Sequence, residues 1–168
     1  MNCVNSCATS GETNTNTDMT NWICKAFDEL TAAELYAILR LRSEVFVVEQ
    51  QCVFQDMDDK DQYCHHLMGW RGDILAGYAR IVPAGISYME SSIGRIVTSP
   101  VLRGHGIGRE LIPQSVSVLY TLYGKQPIRI GAQYYLLQFY QSFGFVQKGE
   151  IYLEDGIEHV QMLMTNVL

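Results

Sequence analysis

Arg103-Gly104-His105-Gly106-Ile107-Gly108-Arg109 sets three glycines at alternate positions between basic residues. Closely spaced glycines let backbone N–H groups turn toward one anion, and a helix starting there adds the positive end of its dipole. The chemistry is phosphate or pyrophosphate binding; the plainer alternative is a strand-to-helix turn with solvated arginines. Two well-known phosphate loops are excluded. G-x-x-x-x-G-K-[ST] needs a Lys-Ser or Lys-Thr pair that is missing here. The dinucleotide fingerprint G-x-G-x-x-G has a different spacing from Gly104, Gly106 and Gly108. What remains is Arg-x-x-Gly-x-Gly, at Arg103, Gly106 and Gly108.

Proton-moving groups are more scattered. Glu44 and Glu49 flank an apolar Val45-Phe46-Val47-Val48 run, where partial burial raises a carboxylate pKa. His65 and His66 stand at a strand start and His159 in a closing strand; each is a base candidate or an ordinary hydrogen-bonded histidine. Arg95 faces either a substrate carboxylate or a surface partner. Asp56, Asp58, Asp59 and Asp61 form an acidic loop that fails as a calcium site, because Lys60 takes its fifth position and Asp61, not glycine, its sixth. A solvated face is the expected reading of that loop, with steering of a cationic substrate as the alternative. Cys64-His65-His66 puts a base beside a thiol in sequence, but neighbours in a strand point to opposite faces. Cys52 has no such neighbour.

The elements that must position these groups are legible. Residues 22–27 read as a strand. Thr31 stands three residues before Glu34, a capping box, and opens a helix whose buried stripe is Leu35, Ile38, Leu39, Arg42 and Val45/Phe46. Residues 50–62 are polar and acidic, a loop or a broken helix. Residues 66–70 and 74–82 form a hairpin around Arg71-Gly72-Asp73. Residues 93–98 are the strand entering the glycine loop. Ile107, Leu111, Ile112, Val116, Leu119 and Leu122 then mark a helix stopped by Gly124, with Pro113 an internal cost. A strand at 127–132, a short helix at 135–143 and two strands flanking Glu154-Asp155-Gly156 complete the chain. The reading is one α/β domain with a mixed sheet over residues 22–168. Residues 1–21, rich in Asn, Thr and Ser, are expected to be a flexible polar tail.

Composition bounds the partners. With 48% hydrophobic and 18% charged residues over 168 positions, the chain is not intrinsically disordered. A formal net charge of −6 argues against nucleic acid and anionic membrane surfaces as partners. No apolar run approaches the ~20 residues of a membrane span, and the start of the chain has no signal-peptide pattern. Five scattered cysteines read as reduced thiols of a cytoplasmic protein, with no metal site.

The glycine loop after Ile96-Val97-Thr98 resembles the acetyl-CoA loop of the GNAT (GCN5-related) N-acetyltransferase superfamily. Phe139-Tyr140-Gln141-Ser142-Phe143-Gly144-Phe145 is similar to its F-Y-x-x-x-G-F segment. Residues 41–50, Leu136-Leu137-Gln138 and Glu154-Asp155-Gly156-Ile157-Glu158-His159 narrow the resemblance to the ElaA-type group, from Trp22 to the C-terminus. The resemblance implies a mostly antiparallel mixed sheet of about seven strands with about four helices, its splayed strands forming the acetyl-CoA cleft. It implies that the backbone of Ile96, Val97 and Thr98 bonds the pantetheine arm and supplies an oxyanion donor. Arg103, Gly104, His105, Gly106, Ile107, Gly108 and Arg109 hold the pyrophosphate. Tyr140 is the general acid, and Glu49 and His159 are favoured as base. The activity implied is acetyl transfer from acetyl-CoA to a small amine or a protein amine by direct attack in a ternary complex. The alternative is a non-catalytic acyl-CoA-binding module. A homodimer is left open.

Overall fold

The computed structural model describes residues 19–165. The expected polar tail therefore lies, up to residue 18, outside the described residues, together with Cys3 and Cys7. The chain runs β1 (Asn21–Ala26), α1 (Ala32–Arg42), β2 (His65–Arg71), β3 (Ile74–Val82), β4 (Ser91–Thr98), α2 (Ile107–Tyr123), β5 (Ile128–Gln133), α3 (Leu137–Gln141), β6 (Val146–Glu154) and β7 (Ile157–Met164). The seven strands form one sheet in the order β1-β2-β3-β4-β5-β7-β6. Among the described residues only β4 and β5 are parallel; every other pair is antiparallel. Among the described residues no helix is long and apolar enough to cross a membrane.

Alternation along the strands gives the sheet two cores. On one face Leu67, Ala79, Ile81, Ile93 and Ile130 pack with Leu111, Ile112 and Leu119 of α2 and with Tyr140 of α3. On the other, Met68, Tyr78 and Val97 pack with Ile38 and Leu41 of α1. Neighbours such as Leu67 and Met68 thus serve opposite layers, and each buried aliphatic side chain stabilises the fold by about 1.5–3 kcal/mol.

Local chemistry places the helices. Thr31 caps α1 through the expected capping box: its Oγ1 accepts from the Glu34 N–H at 3.2 Å, and Glu34 accepts from the Thr31 N–H at 2.8 Å. Gly124 ends α2 at φ 76°. Pro113 lies on the exposed side of α2, which continues through it to Tyr123, so the Arg109 carbonyl four residues earlier loses its helical donor. Gly77 in β3 is needed for close approach: a Cβ there would sit 2.9 Å from Ile107 Cγ2, so the first turn of α2 rests directly on the sheet.

Two expectations are corrected. The described residues hold three α-helices, not about four, because α1 passes into a π-helical stretch at Ser43–Glu49, where the Gln50 N–H reaches the Val45 carbonyl five residues back at 3.2 Å. The acidic loop is not a solvated face. Asp56 and Asp61 are buried beneath three arginines from α1, β3 and β4. Arg42 donates to Asp56 at 2.7 Å and to Asp61 at 2.9 Å. Arg80 donates to Asp58 at 2.6 Å and to Asp61 at 2.9 Å. Arg95 donates to Asp56 at 2.7 Å. Two buried carboxylates and the half-buried Asp58 are thereby paired, where an unpaired charge is strongly unfavourable.

Candidate active site

The parallel pairing of β4 with β5 is confined to Ser91 with Ile128 and Ser92 with Arg129. Beyond that point the strands part, and the β4 edge facing β5 loses its ladder. The sheet opens there into a cleft of about 710 Å³ lined by residues 92–98 of β4 and by Ala132 and Gln133 of β5. This splay is the one the resemblance implies. The opposite edge of β4 carries a bulge against β3: Tyr78 pairs with Val97 and Arg80 with Gly94, so one residue too many lies between them on β4. Arg95 takes the left-handed conformation there, φ 51°.

The glycine loop follows β4 and ends at the mouth of the cleft. Gly104 and Gly106 have φ of 82° and 79°, which side-chain-bearing residues rarely adopt. Gly108 is already helical and needs no such freedom; Phe139 and Thr98 lie 3.6 and 3.9 Å from where its Cβ would stand. The loop therefore needs two glycines for its turn, not three. Within it the N–H groups of Arg103, His105 and Arg109 bond to backbone carbonyls. Those of Gly104, Gly106, Ile107 and Gly108 have no backbone acceptor among the described residues, and they gather at the N-terminus of a 17-residue helix. Such a terminus suits an anion. Arg103 does not stand free: its guanidinium makes a two-pronged pair with Glu49 at 2.6 and 2.8 Å, both side chains exposed.

The π-helical stretch and the β6–β7 turn also line the cleft. Gln133 of β5 donates to Gln50 at 3.2 Å. With the Glu49–Arg103 pair, this ties the stretch to both sides of the opening. Cys52 Sγ donates to the Asp155 carbonyl at 3.5 Å, which joins the loop to the β6–β7 turn.

The sequence candidates sort by environment. Tyr140 is buried in the cleft wall with Phe139 and Phe145 edge-on to its ring, at 5.2 and 6.1 Å between centroids. No described group takes its hydroxyl, and burial lifts the phenol well above its ordinary range, so it stays protonated. His159 lines the same cleft. Its Nδ1 lies 2.9 Å from the Ile157 carbonyl and must donate to it, which leaves Nε2 as the basic nitrogen. Glu49 also lines the cleft, but the raised carboxylate pKa expected beside the apolar run is reversed. The Arg103 guanidinium holds it below the ordinary carboxylate value. Glu44 is exposed outside the cleft lining.

His65, His66, Cys24 and Cys64 are structural. His65 bonds the Tyr123 hydroxyl at 3.0 Å. His66, fully buried, bonds the Tyr78 hydroxyl and the Asp61 carbonyl, and burial lowers its pKa. Burial pushes the Cys24 and Cys64 thiols up to about 11, which removes them as nucleophiles at neutral pH. Arg95 lines the cleft but spends its guanidinium on Asp56. Sequence reasoning missed Gln50, Gln133 and Phe54 as cleft residues. None carries a signal in a single sequence, because each gains its place from a partner far along the chain.

Known proteins share this fold. The sequence model of a family described as an acetyltransferase (GNAT) domain matches residues 27–166. Protein ElaA of Escherichia coli is 40% identical over 86% of this chain and 95% of its own length. The crystal structure of an acyl-CoA N-acyltransferase from Pseudomonas aeruginosa is similar at a TM-score of 0.83 and 40% identity, covering 87% of this chain and 99% of that one. The crystal structure of ElaA from Escherichia coli has a TM-score of 0.82 at 39% identity, with the same coverage.

Proposed function

The chain belongs to the GNAT acetyltransferase family, and on that premise we propose that it transfers an acetyl group from acetyl-CoA to a primary amine by direct attack in a ternary complex. The observation that carries this reading is the opening of β4 from β5 beside the glycine loop, with Tyr140 and His159 in the same cleft. The residues fit the cofactor. An extended pantetheine arm matches the free edge of β4 at Ile96, Val97 and Thr98 as an added strand would. The free N–H groups of Gly104, Gly106, Ile107 and Gly108, with His105, Arg109 and Arg103 around them, match the pyrophosphate. Bound acetyl-CoA supplies the activated acyl group and its thiolate leaving group.

The chain's own groups then divide the work. The β4 edge and the glycine loop hold the thioester against the amine, and positioning of this kind contributes several kcal/mol. A backbone N–H at the end of β4 receives the negative charge that develops on the thioester oxygen. His159 Nε2, or Glu49 through water, takes the proton of the incoming ammonium; the Arg103 pair leaves Glu49 the weaker base. Tyr140, kept protonated by burial, donates its proton to the departing sulfur. Glu154 and Asp155 line the acceptor side, which suits an amine that arrives as a cation, whether a small molecule or a protein amine. On this reading residues 22–168 are the transferase domain, with Asn21 already paired in β1.

Calorimetry with acetyl-CoA, followed by thiol release over a panel of primary amines, tests the proposal. Binding together with amine-dependent thiol release is expected. Binding without turnover of any amine identifies an acyl-CoA-binding module instead. Stronger thermal stabilisation by ATP than by CoA overturns the cofactor assignment.

A further inference from the structure

Two cleft residues other than glycine have a positive φ; Asp155 is of a type that adopts it readily in a turn, whereas Arg95 is not, and a buried carboxylate grips its side chain. Arg95 sits at the β4 bulge with φ 51°, a region that side-chain-bearing residues other than Asn and Asp seldom occupy. Its Nε donates to Asp56 Oδ1 at 2.7 Å, and its terminal nitrogen donates to the Asp56 carbonyl at 3.1 Å. Asp56 is itself fixed. Its other carboxylate oxygen accepts from Arg42 Nε at 2.7 Å, and Arg42 is fully buried at the end of α1. The bulge is thus tied through Asp56 to the end of α1. Immediately after it come Ile96, Val97 and Thr98, on the strand edge that β5 has released.

We propose that Asp56 is a positioning residue. Through Arg95 it holds the β4 bulge in its left-handed form, and so sets the direction of the Ile96 and Thr98 N–H groups, which face the edge released by β5 and the acyl oxygen of the cofactor. This rests on the acetyl-CoA reading above and assigns a role to the acidic loop that the reading does not use. Strained residues persist only where surrounding structure over-determines them, and they gather at functional sites. Here the over-determination is visible as two donors on one carboxylate and two more on its carbonyl. Arg95 lines the cleft but is committed to Asp56, so it acts through the backbone it anchors.

The test compares Arg95→Ala with Arg95→Gly. Both remove the clamp and both leave the Arg42–Asp56 pair in place, so neither empties the core. They differ by one Cβ, and only glycine adopts the left-handed conformation unaided. Amide resonances of the 15N-labelled full chain are recorded alone, with CoA and with acetyl-CoA. In the wild type, acetyl-CoA shifts the amides of residues 96–98 beyond the shift that CoA causes. Arg95→Ala is expected to displace the ligand-free amides of residues 94–97 and to lose the acetyl-specific shift, while the shifts that CoA causes in the glycine-loop amides of residues 104–109 are kept, because that loop is untouched. Arg95→Gly is expected to keep the wild-type pattern. Asp56→Asn repeats the effect of Arg95→Ala, and adding Arg95→Gly to it restores the pattern, a rescue that a merely structural role does not give. Equal loss in the Ala and Gly variants, or no displacement in either, overturns the proposal. If the wild type binds neither CoA nor acetyl-CoA, the functional reading falls separately, and the ligand-free amides of the variants still decide the clamp.

Discussion

Replacing Tyr140 with phenylalanine separates chemistry from packing in this site, because the structure fixes what the change removes. The ring is 5% exposed and held edge-on by Phe139 and Phe145, and phenylalanine keeps all of that contact. The hydroxyl has no partner among the described residues, so no internal hydrogen bond is lost. Stability should change by less than about 1 kcal/mol, under about 4 °C in Tm for a chain of this size. The catalytic loss is of another order. Proton donation by a positioned side chain contributes about 10²- to 10⁴-fold, or roughly 2.7–5.4 kcal/mol at the transition state. The departing thiolate takes its proton from water once the phenol is gone. Thiol release at saturating acetyl-CoA measures kcat, and calorimetry measures cofactor affinity, expected unchanged within about twofold because the glycine loop lies elsewhere. Burial raises the Tyr140 pKa, so the wild-type rate should show no basic limb from this group below about pH 10. A variant of wild-type kcat refutes the acid assignment. A variant that loses stability and affinity together shows that Tyr140 only packs.

Further outcomes follow from the charged groups. Glu49→Gln releases Arg103 from an exposed pair worth at most about 1 kcal/mol, so acetyl-CoA should bind up to about fivefold more tightly by calorimetry; weaker binding would show that Glu49 itself faces the ligand. Arg42→Met removes one arginine from carboxylates that each keep another, and should cost about 3 kcal/mol, read as a Tm lower by about 6–12 °C; an unchanged Tm would leave the network a role in specificity alone. His66 has a folded pKa below its unfolded value, so as pH falls through about 6.5 the unfolded chain takes up a proton that the native one refuses. Stability should therefore decline from pH 7 toward pH 5 in thermal melts, and a flat profile contradicts the buried neutral imidazole. Asp58 and Asp61 are depressed acids despite burial, because Arg80 sits on both, with Arg95 beside Asp58 and Arg42 on Asp61. Their contribution is present above about pH 4 and lost as pH falls toward their native values, which adds a second, steeper decline.

What the sequence made legible was local. The Thr31–Glu34 box, the apolar stripe of α2, its Gly124 stop and the turn at Glu154-Asp155-Gly156 each rest on residues within a few positions of one another. The glycine loop belongs with them, since its chemistry lies in spacing alone. What stayed hidden depends on pairs distant along the chain. Asp56 meets Arg42 across 14 residues and Arg95 across 39, so an acidic run that looks solvated is in fact interior. Glu49 meets Arg103 across 54 residues, and that contact reverses its expected pKa. The β4 bulge escapes for a related reason: nothing in Gly94-Arg95-Ile96 marks the extra residue until β3 lies beside it.

The parting of β4 and β5 has a consequence for solubility as well. Unpaired strand edges invite other strands, and most sheets protect them at their outer rims with charge, short length or a covering helix. This sheet keeps an unpaired edge in its middle, down a cleft walled by β5, by α3 and by the stretch after α1. Another protein's strand brings its own sheet and side chains, and is too broad to enter. A single thin chain with amide groups along its length is not. The fold thus offers the hydrogen-bonding template of an edge strand while excluding by girth the partners that would polymerise on it.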